Sequence, residues 1–199
     1  MTPHPYDAVG VSAPVAGVVL EAGRGSLPFH LIHGESLVAT AAWAAGEAGI
    51  DLLDQTLSWD VVAERGEALV LHDPLCPMTP PEFLARCADR AAVEDAVVVG
   101  VRPVTDTVKQ VSPSGALGVT VDRDGLLAVC SPVVLPPSVV ADLLASGGSL
   151  PSLDFVELVV ALRARYGDAR VVFADAPPEA RRVAGEADLE VLAALTDPR

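Results

Sequence analysis

The side chains best suited to binding an anion lie together in the segment 101–132. Lys109, the only lysine among the 199 residues, shares a strand-like run with Thr105 and Thr107. Because side chains along a strand alternate between its two faces, these three are expected to point to one side. A turn rich in serine, proline and glycine follows, and then a second strand-like run that carries Arg123. Such a hairpin could bind a phosphate group, or it could be an ordinary solvated hairpin.

Two other segments carry polar groups directly after predicted strands. Gly23 and Gly25 flank Arg24 behind the first apolar run, and a glycine turn there could offer backbone N–H groups to a phosphate. Asp73 ends the apolar run 68–73, where its carboxylate could hold Mg²⁺ together with nucleotide phosphates. The simpler interpretations of the same residues are a plain turn and an aspartate that caps a loop or a helix.

The elements that must position these residues alternate between strand-like and helical patterns. Buried strands are predicted at 15–20, 68–73, 95–101 and 170–175, and helices at 36–49, from the N-cap Thr79, and at 138–145, 153–167 and 188–195. This alternation implies an α/β fold with a mostly parallel sheet and helices on both faces. Ligands of such folds bind beyond the carboxyl ends of the strands. A chain of this length is most simply one domain.

Charge and composition exclude several classes of partner. The formal net charge of −14 argues against binding to nucleic acid or to anionic membranes, because both need a concentrated positive surface. A small anionic substrate is still possible, provided that a few local donors or a metal ion hold it. With 51% apolar and only 4% aromatic residues, the core must be filled by valine, leucine and alanine.

Cysteine spacing and the N-terminal sequence predict a cytoplasmic protein. Cys76, Cys87 and Cys130 lack a C-x-x-C spacing, which disfavours both a disulfide framework and a structural zinc site. The N-terminal segment shows no signal-peptide pattern, and no apolar run reaches the roughly 18 residues of a membrane span.

The hairpin also carries a family resemblance. The pattern P-V-T-D-T-x-K, followed by T-V-D-R-x-x-L-x-A-x-x-S-P, resembles the 2-C-methyl-D-erythritol 4-phosphate cytidylyltransferase family of isoprenoid biosynthesis. The matching residues are Thr105, Asp106, Thr107, Lys109, Thr120, Asp122, Arg123, Leu126, Ala128, Ser131 and Pro132. The resemblance implies a single three-layer α/β/α Rossmann-like nucleotidyltransferase domain over 1–199, with 103–130 as a protruding β-hairpin arm.

The resemblance also implies an activity and a set of site residues. Enzymes of this family join CTP and a sugar-alcohol phosphate and release pyrophosphate, and their arm reaches into a partner subunit of a homodimer. By this likeness, Gly23 and Gly25 bind the nucleotide, Asp73 binds Mg²⁺, and Arg24 supplies catalytic charge. Two further groups are implied: a second catalytic cation, Arg182, where the family has a lysine, and the acceptor-binding residues Asp106, Thr107, Lys109 and Arg123.

The chain departs from the family pattern around the nucleotide. Leu27 falls near the position of the loop lysine, Cys76 replaces an arginine, and the segment 50–67 is shorter than in the family. Losing preorganised charge of this kind commonly costs on the order of 3 kcal/mol of transition-state stabilisation. The alternative hypothesis is therefore a catalytically degenerate member that binds a ligand or regulates a partner. A third is a related nucleotidyltransferase with another phosphorylated alcohol as its acceptor.

Overall fold

The computed structural model of the protein describes residues 10–53, 59–105 and 107–197. Its strands are β1 (Val15–Val19), β2 (Leu31–Ile32), β3 (Glu35–Ser36), β4 (Asp51–Leu52), β5 (Ala68–His72), β6 (Val97–Pro103), β7 (Val108–Val111), β8 (Leu117–Val121), β9 (Leu127–Leu135) and β10 (Val171–Asp175). Its α-helices are α1 (Leu37–Glu47), α2 (Trp59–Arg65), α3 (Pro81–Glu94), α4 (Pro137–Ala145), α5 (Phe155–Tyr166) and α6 (Glu186–Leu195).

Six of the strands form one central sheet in the order β10-β6-β9-β5-β1-β4. The pairs β1–β4, β1–β5 and β6–β10 are parallel, whereas β9 runs antiparallel to both of its neighbours, β5 and β6. The sheet is therefore mostly parallel, as the alternation of elements predicts. Its parallel strands end at one edge, where the loops after β1, β5 and β6 meet.

The central strands are buried on both faces, and each face has its own helices. Leu69 and Leu71 of β5 join the core cluster that contains α4 and α5, while Val70 joins the cluster that contains α1 and α3. This alternation with a period of two confirms three layers, helix on sheet on helix. As the scarcity of aromatic residues predicts, valine, leucine and alanine supply most of the core.

Helix starts follow local capping chemistry, with one correction to the prediction. The Ser36 side chain accepts from a backbone N–H in the first turn of α1, and Asp154 accepts two such bonds from α5. The prediction of Thr79 as the N-cap of α3 is wrong. Pro80 occupies that position, and the Thr79 hydroxyl donates instead to the Cys76 carbonyl in the turn after β5.

The predicted hairpin is present as a separate two-stranded antiparallel sheet of β7 and β8, in which Lys109 pairs with Thr120. It rises from the end of the β6–β9 pair. Thr105 and Thr107 lie outside the strands, between β6 and β7, so the prediction that both share one strand face with Lys109 is wrong.

In the described ranges, no helix is long and apolar enough to cross a membrane.

Candidate active site

A buried carboxylate joins three distant segments at the carboxyl end of β5. The Asp73 side chain is only 1% exposed. Its Oδ1 accepts from Arg24 Nε at 3.1 Å and from the backbone N–H of Leu75 at 3.0 Å. Its Oδ2 accepts from Arg182 Nε at 3.0 Å. The structure thus brings together Arg24, Asp73 and Arg182, three of the residues predicted for the site.

The glycine turn after β1 directs Arg24 into the protein. Gly23 and Gly25 have φ angles of +80° and +60°, which disfavour any residue with a Cβ. The Arg24 side chain is 4% exposed. Its remaining nitrogens donate to the carbonyls of Ala22 at 3.1 Å and Leu153 at 2.9 Å, and its guanidinium lies 5.6 Å from the centre of the Phe155 ring. All three guanidinium nitrogens of Arg24 therefore have partners within the chain.

Arg182 instead borders open space. The backbone N–H of Val183 donates to the Leu75 carbonyl at 2.7 Å and fixes this segment against the loop after β5. The Arg182 side chain is 38% exposed and lines a cavity of about 300 Å³. Arg102 and Arg181, which the sequence analysis does not single out, line the same cavity. The double arginine at 181–182 was the available signal for this site.

The cavity carries excess positive charge on a strongly acidic protein. Arg102 donates to the Pro178 carbonyl at 2.8 Å, and Arg181 forms an ion pair with Asp188 at 3.3 Å. Asp188 is the one carboxylate among the described residues that line this cavity. Three guanidinium groups around one acidic side chain suit an anionic ligand, on a protein whose formal net charge is −14.

A family model described as 2-C-methyl-D-erythritol 4-phosphate cytidylyltransferase matches residues 54–189, most of the chain. The chain belongs to this family. The family member of Corynebacterium glutamicum is 31% identical over 172 residues, a match that covers 84% of this chain and 62% of that protein. The member of Rhodococcus jostii is 33% identical over 84 residues, 42% of this chain and 37% of that protein. The chain thus spans less than two thirds of the length of these relatives.

Solved structures of the family share this fold. The cytidylyltransferase of Thermus thermophilus gives a TM-score of 0.64 at 20% identity and covers 92% of this chain and 98% of that one. The 4-diphosphocytidyl-2C-methyl-D-erythritol synthase of Anaerococcus prevotii gives a TM-score of 0.61 at 14% identity and covers 93% and 96%. These likenesses confirm the predicted α/β fold of the cytidylyltransferase family.

In this family member the start of the arm, at Thr105, borders the cavity. Arg123 donates to the Thr105 carbonyl, and Thr105 lines the cavity together with Arg182. Thr107 and Lys109 are exposed. Within the described ranges, no hydrogen bond or ion pair joins the arm to the Asp73 cluster. The predicted substrate residue Asp106 lies outside the described residues.

Asp73, the predicted Mg²⁺ ligand, has surroundings in the structure that do not suit a metal ion. Mg²⁺ demands octahedral oxygen coordination and keeps several of its waters. Asp73 is buried, and both of its oxygens already accept hydrogen bonds from arginine. Among the described residues, no group of three or more histidine, cysteine and acidic side chains could hold a metal ion.

Two buried thiols near the site are too weakly acidic to act as nucleophiles. Burial raises the pKa of Cys130, which lines the cavity, to about 11, and it raises the pKa of Cys76 well above the ordinary thiol value. Only the thiolate is a good nucleophile, so both side chains act as small apolar groups in this cytidylyltransferase-family chain.

His72 and Ser131 support the backbone on which Asp73 sits. His72 is fully buried, and its Nδ1 is hydrogen-bonded to the Ser131 hydroxyl, which also accepts the Asp73 backbone N–H at 3.0 Å. The Nε2 atom of His72 is buried and has no hydrogen-bond partner among the residues that the structure describes. Burial lowers the pKa of His72 to about 4, so the ring is neutral near pH 7. The sequence pattern contained Ser131 but did not reveal this supporting contact.

The buried His72 predicts a specific loss of stability in acid. Below pH 6.5 the unfolded chain binds a proton that the folded chain cannot accept until the pH approaches 4. The free energy of unfolding should therefore fall by about 3 kcal/mol across that window through this residue, and not change through it above pH 7. Urea unfolding of the wild type and of His72→Asn between pH 4.5 and 7.5 measures the difference. Parallel curves for the two proteins would contradict the assignment.

Proposed function

We propose that this chain transfers CMP from CTP to 2-C-methyl-D-erythritol 4-phosphate and releases pyrophosphate. Family membership supports the proposal, as do the relatives from Corynebacterium glutamicum and Rhodococcus jostii, which are named as cytidylyltransferases for this acceptor. The observation that carries it is the cavity lined by Arg102, Arg181 and Arg182, which lies next to Asp73 at the edge of the sheet where α/β folds bind ligands.

The proposed reaction needs positioning and charge more than proton transfer. An oxygen of the acceptor phosphate attacks the α-phosphorus of CTP in line, and a new P–O bond forms. The bond from the α-phosphorus to the bridging oxygen breaks, and pyrophosphate leaves with the electron pair. The attacking oxygen is already an anion near neutral pH, so no general base is required. The protein contributes orientation and neutralisation of charge.

Arginine side chains would supply that charge in this chain. Arg182 is anchored at Nε by Asp73, while its exposed part faces the cavity, so its other nitrogens could bind the acceptor phosphate. Thr107, Lys109 and Arg123, with Asp106 beside them in sequence, remain proposed acceptor-binding residues. The contact of Arg123 with Thr105 at the cavity supports this proposal. Mg²⁺ remains a prediction, as an ion carried by the triphosphate, because both oxygens of the buried Asp73 already accept N–H bonds from arginine.

A homodimer formed through the arm is part of the proposal. Val111, Leu117 and Val119 on the hairpin are 65%, 73% and 68% exposed. A two-stranded hairpin is marginally stable alone, and adjacent exposed apolar side chains favour a covering partner. A second copy of this chain is the proposed partner. Light scattering at micromolar concentration should give twice the 20.5 kDa of one chain. A mass of one chain would count against the arm as the contact.

The chain is proposed to work in the cytoplasm, because its cysteines suit a reducing compartment. Cys76, Cys87 and Cys130 are all free and buried.

The proposed activity is tested by pyrophosphate release from CTP and methylerythritol phosphate in the presence of Mg²⁺, with phosphorus NMR of the product. Release that needs both substrates, and a product with a new diphosphate linkage, is the expected result. No release, together with no CTP binding by calorimetry, would refute the proposal and favour the degenerate, ligand-binding alternative.

A further inference from the structure

The hydrogen bonds of the Asp73 carboxylate are those of a residue that holds other side chains in place, and not those of a metal ligand. Three N–H donors at 3.0–3.1 Å occupy its two oxygens: those of Arg24, Arg182 and Leu75. A hard cation at this carboxylate would have to bring its own waters into a site that is 1% exposed and already holds two guanidinium groups.

We infer that Asp73 is a positioning residue that holds Arg24 and Arg182, and that Arg24 takes at this carboxylate the place of a divalent cation. The guanidinium of Arg24 is almost as buried as Asp73 itself, and its other nitrogens are bonded to carbonyls. Such a cation is permanently charged and fixed in direction, which suits a buried ion pair. This inference goes beyond the proposed transfer reaction, since it concerns the folded protein alone.

The ion pairs of Asp73 with Arg24 and Arg182 link four parts of the chain at the carboxyl end of the sheet. Arg24 lies in the turn after β1 and donates to the Leu153 carbonyl just before α5, while Arg182 precedes α6. Asp73, after β5, bonds to both arginines and separates two like charges that would otherwise repel each other. Removing the carboxylate leaves Arg24 buried and uncompensated, which is strongly destabilising. Removing both members of the pair removes that penalty.

A double-mutant cycle on the full chain tests the anchor without any turnover. The midpoint of thermal unfolding, Tm, should fall by roughly 10 °C in Asp73→Asn. The double variant Asp73→Asn/Arg24→Met should recover at least half of that loss, because no unpaired buried charge is left. Asp168→Asn is the matched control: that carboxylate pairs with Arg163 at 2.7 Å on the surface and is 78% exposed, so its loss should shift Tm by no more than roughly 2 °C.

Metal binding by the wild-type protein provides the second readout, and this measurement can be made even if Asp73→Asn fails to fold. Mn²⁺ used as the probe should give no protein-bound signal in the electron paramagnetic resonance spectrum of the wild type without nucleotide. Mg²⁺ should raise its Tm no more than potassium chloride of equal ionic strength does. A protein-bound Mn²⁺ signal from the wild type without nucleotide would overturn the inference. An unchanged Tm in Asp73→Asn would overturn it as well.

Discussion

Replacing Arg182 with alanine is expected to lower kcat/KM for pyrophosphate release by a factor of about 10²–10³. Arg182 is the member of the Asp73 cluster whose side chain borders the cavity, with 38% of its surface exposed. In the proposed reaction its guanidinium holds the acceptor phosphate during transfer. Steady-state kinetics with varied acceptor at saturating CTP measure the effect.

Two further variants make this expectation specific. Arg182→Lys keeps the charge but loses the forked geometry, so it should retain more activity than the alanine variant. Arg163→Ala removes an arginine from the far end of α5, where it pairs with Asp168 on the surface. This control should keep the wild-type rate. An Arg182→Ala protein as active as Arg163→Ala would remove Arg182 from the proposed mechanism.

Replacing Gly100 with alanine is expected to lower the free energy of unfolding by about 3 kcal/mol. A Cβ built at Gly100 would lie 2.7 Å from the Ser131 carbonyl oxygen and 3.3 Å from the Phe83 ring. The nearer contact is backbone of β9, which cannot move aside as a flexible side chain can. The pairing of β6 with β9 already shifts register between Val99 and Val101, where Gly100 lies. Chemical denaturation measures the loss.

Gly46→Ala is the matched control for this substitution. Gly46 lies in α1, and nothing stands within 4 Å of a Cβ added there. That change should stabilise the protein by up to about 1 kcal/mol, because alanine is the better helix former. If both alanine variants proved equally stable, the close approach of β6 and β9 at Gly100 would not matter for folding.

The long strands and helices of the fold could be predicted because each is a continuous local pattern. The apolar runs 68–73 and 170–175 correspond closely to β5 and β10. β5 is central and buried along its whole length, whereas β10 is an edge strand that is still apolar over 171–174. The position of β9, antiparallel between β5 and β6, could not be predicted. Strand order depends on contacts between distant segments, and those leave no local pattern.

The candidate site also has a part that could be predicted from local sequence patterns and a part that depends on contacts between distant segments. The sequence placed Asp73 and Arg24 at strand ends, because polar residues after apolar runs are a local signal. It did not show that Arg24 turns inward to Asp73, because that direction depends on the carbonyl of Leu153, 129 residues further along the chain. Arg102 was missed for the same reason, because it becomes a neighbour of Arg181 and Arg182 only when the C-terminal segment packs beside β6.

The most direct measurement of the central claim is a crystal structure of the protein with CTP and methylerythritol phosphate bound. We predict phosphate oxygens within hydrogen-bond distance of Arg182 in the cavity that Arg102 and Arg181 line, with Arg24 still bonded to Asp73. The chain offers a second, apolar groove of about 500 Å³ beside Trp43 and Ile32. Substrate phosphates bound there, with the arginine-lined cavity empty, would contradict the account.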